Sequence, residues 1–106
     1  MDAIRGPDAG TLLIRVLRGH AAAAGLTMHV ESIACMPWAS ATFVGTLHRL
    51  TIAAMPVPGL RDWIDGLPEA AFAMRGHIVA DLVVDRIESL GDREHVTIAV
   101  LTLIDA

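Results

Sequence analysis

The last third of the chain carries two strand-like segments, at about 77–89 and 94–104, that are apolar on both sides. Leu90-Gly91-Asp92-Arg93 between them reads as a compact turn, because Gly91 is free to take positive φ. With Gly91-Asp92 as a two-residue loop, Leu90 pairs with Arg93, Glu88 with His95, Val84 with Ala99, Leu82 with Leu101 and Ala80 with Leu103. One face then holds Ile78, Ala80, Leu82, Val84, Ala99, Leu101 and Leu103. The other holds Val79, Val83, Ile87, Val96, Ile98, Val100 and Ile104. An antiparallel sheet with one wet face alternates apolar and polar residues cleanly, and this hairpin does not. Both of its faces therefore need cover.

The rest of the chain limits what can supply that cover. Asp8 is a plausible helix N-cap, Leu12, Leu13, Val16, Leu17, Ala21 and Ala24 form one apolar stripe, and Gly25 suits a left-handed stop. This predicts a helix over about 8–24. Thr27–Met36 and Ala41–Ala53 are strand-like, with the turn expected in Met36-Pro37-Trp38-Ala39-Ser40 because Pro37 lacks a ladder donor. Met55-Pro56-Val57-Pro58-Gly59 reads as a connector. Leu60, Trp63, Ile64 and Leu67 predict a short helix over about 58–66, and Pro68–Phe72 adds at most a further turn. The expected fold is a single α+β domain of order αββαββ, a two-layer sandwich of a four-stranded antiparallel sheet and two helices.

Two helices cover one sheet face, and nothing else in the chain is long enough to cover the other. A second copy is the simplest cover, giving a homodimer through an apolar sheet face. Alternatively, the helices lie on opposite faces and the monomer is complete. Composition sharpens the problem: 54% of the 106 residues are apolar and 19% charged, against about 25% charged in an average soluble domain. Membrane insertion fails on run length. Arg15, Arg18 and His20 break the first apolar stretch, Asp81 and Asp85 break the third, and the last spans only Val96 to Ile104, well short of the about 20 residues a spanning helix needs. Met1-Asp2-Ala3-Ile4-Arg5 does not read as a secretory signal. The expectation is a cytoplasmic protein. The absence of Lys, Tyr, Asn and Gln suggests a GC-rich bacterial source.

Net charge is −4, which argues against nucleic-acid binding, since that needs a basic face. Arg5, Arg15 and Arg18 make only a small basic spot, read as solvated arginines. Cys35 is the only cysteine, so neither an intrachain disulfide nor a cysteine-based zinc cluster is available. Cys35 is read as a small buried apolar residue, with the histidines far along the strands. No P-loop and no G-x-S-x-G elbow occurs.

Five histidines stand out: His20, His29, His48, His77 and His95. With a tight turn at Pro37-Trp38, His29 pairs near Thr46, and His29, Glu31 and His48 share a face that could hold a metal or a proton-transfer pair. A one-residue slip removes His48 from that face. No spacing supports a metal site, and no cofactor is expected. Asp81 and Asp85 sit within an apolar surface. They read as a buried acid with raised pKa, or as partners of arginine, or as edge residues. Trp38 and Ser40 are the candidate binding residues of the first turn, Trp38 being either a recognition anchor or folded back over the sheet.

Two function classes follow. The first is a self-associating or partner-binding protein without catalytic machinery. The second is a small enzyme or ligand-binding protein with a pocket between sheet and helices, or at a subunit junction, using His48, Glu31 or Asp81 for acid/base work. A hot-dog-like dimer is one form of it, which four strands and a short second helix fit poorly.

Overall fold

A computed structural model describes residues 8–105 of the chain. Arg5 and the Met1–Arg5 segment lie outside the described residues. The elements run α1 (Ala9–Ala23), β1 (Met28–Ala39), β2 (Val44–Ala54), α2 (Leu60–Gly66), a 3-10 turn (Leu67–Glu69), β3 (His77–Leu90) and β4 (Arg93–Ile104). The strands form one antiparallel sheet of order β1-β2-β4-β3. The fold is the expected α+β arrangement in the order αββαββ.

Local signals act as the sequence predicts. Asp8 caps α1 by accepting from the Thr11 amide at 2.8 Å. The far end closes with Gly25 at φ +77°. There the Leu26 amide donates to the Ala21 carbonyl and the Gly25 amide to the Ala22 carbonyl. This is the paired Schellman closure, with buried Leu26 beside buried Ala21. In the second hairpin Leu90 pairs with Arg93 and Glu88 with His95. Gly91 has φ +64°, and among the described residues no non-glycine residue has positive φ, so the turn is of the II′ kind whose twist suits a hairpin.

Both helices lie on the same side of the sheet. Leu13, Leu17 and Ala21 of α1 and Leu60, Trp63 and Ile64 of α2 share one core with Leu50, Ile52, Leu82, Val96, Ile98 and Val100. On the other side Met36, Leu47, Ile78 and Val83 are exposed.

Two details differ from the sequence expectation. The uniform register of the second hairpin does not hold: β3 bulges at Ala80 and again at Asp85, so Leu82 opposes Val100, Val84 opposes Ile98 and Ile78 opposes Leu103. Each bulge inserts one unpaired residue and reverses the alternation beyond it. Val79, Leu82, Val84 and Ile87 thereby all face the helices, while Val83 moves to the open side with Ala99 and Leu101. The two-sided apolar character is real, but its division between faces is set by the bulges. The first hairpin also turns later than expected. Met36–Ala39 belong to β1, and the turn is Ser40–Phe43, where the Ser40 hydroxyl accepts from the Thr42 and Phe43 amides. Pro37 is tolerated because β1 is an edge strand, paired only with β2.

Candidate functional site

The late turn decides which side chains meet. His29 stands opposite Ala53, and His48 stands opposite Cys35. The anticipated grouping of His29, Glu31 and His48 on one face does not form. Instead, the bulge between Val30 and Ser32 turns Glu31 across the sheet, where its carboxylate lies 2.8 Å from His95 Nδ1. Ala53 lies between them in the cross-strand row and is wholly buried. Sequence pairing put His95 with Glu88. That register is present, but the side-chain contact is with Glu31.

His48 is wholly buried on the helix side and held at both ring nitrogens. Its Nε2 lies 2.8 Å from the Thr102 hydroxyl, and that hydroxyl makes a long 3.5 Å donation to the Thr46 carbonyl. A hydroxyl that donates to a carbonyl accepts from the ring, so Nε2 carries the proton. The Nδ1 lone pair then faces the Cys35 thiol at 3.2 Å. Burial pushes the His48 ring below its ordinary range; Asp8 opposes this and His77 adds to it. Burial, helped by Asp8, pushes the Cys35 thiol above its ordinary range. The resting pair is a neutral thiol donating to a neutral imidazole. Cys35 itself is exposed, which corrects its reading as a buried apolar residue: its partner fills the interior and the sulfur sits at the margin. The sequence signal for this pair was the Ser40 turn. Closing the hairpin on Ala39 and Val44 places Cys35 opposite His48 without further assumption.

The buried neutral ring has a pH signature. The unfolded chain takes a proton at His48 near pH 6.5, while the folded chain resists it until lower pH. The stability contributed by the neutral ring is complete above that pH and is lost as pH falls toward the depressed folded value. The slope there is at most about 1.4 kcal/mol per pH unit. Urea midpoints compared at pH 7.5 and 5.5 are expected to fall for the native chain and to fall less for His48→Gln.

Asp81 and Asp85 are both exposed on edge strand β3. Asp85 sits in a bulge and pairs with Arg49 of the same chain at 2.9 Å. Neither is a buried acid. Trp38 is half-buried in β1 opposite Gly45, and Ser40 builds the turn. Among the described residues His, Cys, Asp and Glu nowhere gather in the groups of three that hold a metal ion, and no helix is long and apolar enough to cross a membrane.

The helix-free face is graded from end to end. Nearest the first turn its cross-strand rows are Trp38-Gly45-Leu103-Ile78, Met36-Leu47-Leu101-Asp81 and Ala34-Arg49-Ala99-Val83. Beyond them come Ser32-Thr51-Thr97-Arg86 and His29-Ala53-His95-Glu88. Three rows across four strands make an area of about 400 Å² at ordinary sheet spacings, apolar except for Arg49 and Asp81. Within it lies a hollow of about 170 Å³ bordered by Ala34, Cys35, Met36, Leu47, His48, Arg49 and Ala99. Compared with known proteins, the chain matches no family model, no curated protein and no solved structure.

Proposed function

We propose that this chain works by self-association, as a homodimer packed through the apolar half of its helix-free sheet face. The observation that carries the reading is the contrast between that face and the sheet edges. Edge strand β1 is bent by a bulge at Glu31 and carries Pro37. Edge strand β3 has two bulges and presents Asp81, Asp85 and Arg86. These devices discourage strand addition to an exposed edge. The face also holds Arg49 and Asp81, but it leaves Met36, Leu47, Ile78 and Val83 exposed.

The sizes fit a second copy. A stable interface takes about 800 Å² from each partner, with an apolar centre and a polar rim. The molecule measures 44 × 27 Å along its two longer axes, room enough for about 400 Å² of largely apolar centre, within which Arg49 is paired with Asp85. The hollow of about 170 Å³ is smaller than the roughly 300–1,000 Å³ of small-molecule sites. It suits one inserted side chain of a partner. A cytoplasmic, bacterial setting accords with the single exposed thiol, which stays reduced there. Light scattering at micromolar concentration is expected to return twice the chain mass. The mass of one chain would overturn the proposal.

A further inference from the structure

We propose that Cys35, with His48 as its base and Thr102 holding the ring, is an addressable nucleophile that adds to small, uncharged α,β-unsaturated carbonyl compounds. The thiol and ring lie on the helix side of the sheet, and Cys35 and His48 also border the hollow of the open face.

Three features point to that chemistry. The first is the orientation of the proton path. Thr102 fixes the proton on Nε2 and leaves Nδ1, 3.2 Å from Sγ, as the only acceptor the ring offers. A ring held at both nitrogens and wholly buried does not wander from the sulfur. The second is access. The sulfur belongs to an exposed residue, and the neighbouring position of α1 is Gly10. A Cβ there would stand 3.4 Å from Sγ, 3.5 Å from the Ile33 Cδ1 and 3.6 Å from the Asp8 Oδ1. The third is charge. The Asp8 carboxylate lies near the sulfur and acts on it, held below its ordinary range chiefly by the Thr11 amide and therefore ionised. It disfavours an anionic partner and a resting thiolate alike. Among the described residues, His77 of β3 is the other charged or titratable group acting on the ring.

A neutral thiol–imidazole pair suits net addition of S–H across a carbon–carbon double bond, because the proton leaves and returns. The Sγ–H bond breaks and its proton passes to Nδ1. Sulfur bonds the β-carbon as the π electrons move onto the carbonyl, and the resulting enolate takes the proton from Nδ1 at its α-carbon. Nothing is oxidised or reduced, no group leaves, and His48 ends neutral.

Acrylamide is the probe, with adduct formation at Cys35 followed by mass spectrometry from pH 6.5 to 9.0, between the ordinary values of the two groups. The native chain is expected to react at a nearly pH-independent rate across this window, about 100-fold faster at pH 7 than His48→Gln. That variant should instead react in proportion to its thiolate, tenfold faster per pH unit. Thr102→Val keeps the ring but frees its tautomer, and is expected to lose about tenfold. If His48→Gln does not fold, the native pH profile decides alone. A native rate that climbs tenfold per pH unit throughout overturns the proposal, as does a Thr102→Val rate equal to the native one.

Discussion

Gly45→Ala is expected to destabilise the fold by more than about 3 kcal/mol, placing it in the rare class of severe single substitutions. Gly45 lies in β2 opposite Leu103 of β4, the two central strands of the sheet. A Cβ there would fall 2.0 Å from the Thr102 carbonyl oxygen and 3.0 Å from the Leu103 Cδ2. The first obstacle is backbone, which no rotamer change can move aside. Relief requires opening the β2–β4 ladder or displacing Thr102, whose hydroxyl anchors the His48 ring. The variant should therefore show a lowered urea midpoint together with altered reactivity of Cys35. Gly19 supplies the internal control. It lies within α1 with nothing within 4 Å of a built Cβ, so Gly19→Ala is expected to stabilise by about 0.5–1 kcal/mol through helix propensity. Equal effects at the two glycines would contradict the close approach at Gly45.

Leu47→Glu carries the second large effect. Leu47 sits beside Leu101 in the middle apolar row of the helix-free face and borders the hollow there. In a monomer this position meets water, and the substitution should leave the unfolding midpoint nearly unchanged. In a face-to-face dimer it buries an ionised carboxylate from each subunit against apolar surface. That costs several kcal/mol, and each 1.4 kcal/mol weakens association about tenfold. A dissociation constant raised at least about 1,000-fold is expected, read as a shift from dimer to monomer mass in light scattering. Val57 is also an exposed apolar residue, but it lies in the connector before α2, away from the face. Val57→Glu should leave the mass unchanged. Monomerisation by both variants would mean that solubility, and not this face, governs association.

The two proposals rest on different side chains, although Cys35 and His48 also border the hollow of the open face. Self-association concerns Met36, Leu47, Leu101 and Val83. The reactive thiol concerns Cys35, His48 and Thr102, whose side chains point the other way by strand alternation. A monomeric chain with a pH-independent thiol reaction, or a dimer with an ordinary thiol, would each retire one proposal and leave the other standing.

What the residues dictated on their own was whatever depends on near neighbours. The Asp8 cap, the Gly25 stop, the Gly91 turn and the apolar stripe of α1 are each decided within a few residues by backbone sterics and local hydrogen bonds. The element order αββαββ follows from them. Strand register was not legible, because strands apolar on both sides carry no preference for one face. Only packing against α1 and α2 selected the bulges at Glu31, Ala80 and Asp85, which turn Val30, Ile33, Leu82, Val84 and Ile87 toward the helices. Pro37 could sit within a strand only because that strand became an edge, which is a property of the whole sheet. The meeting of Cys35 with His48 rests on that same placement, and so does the open face of Leu47 and Leu101. Both candidate sites are products of tertiary pairing, which joins residues that no local rule connects.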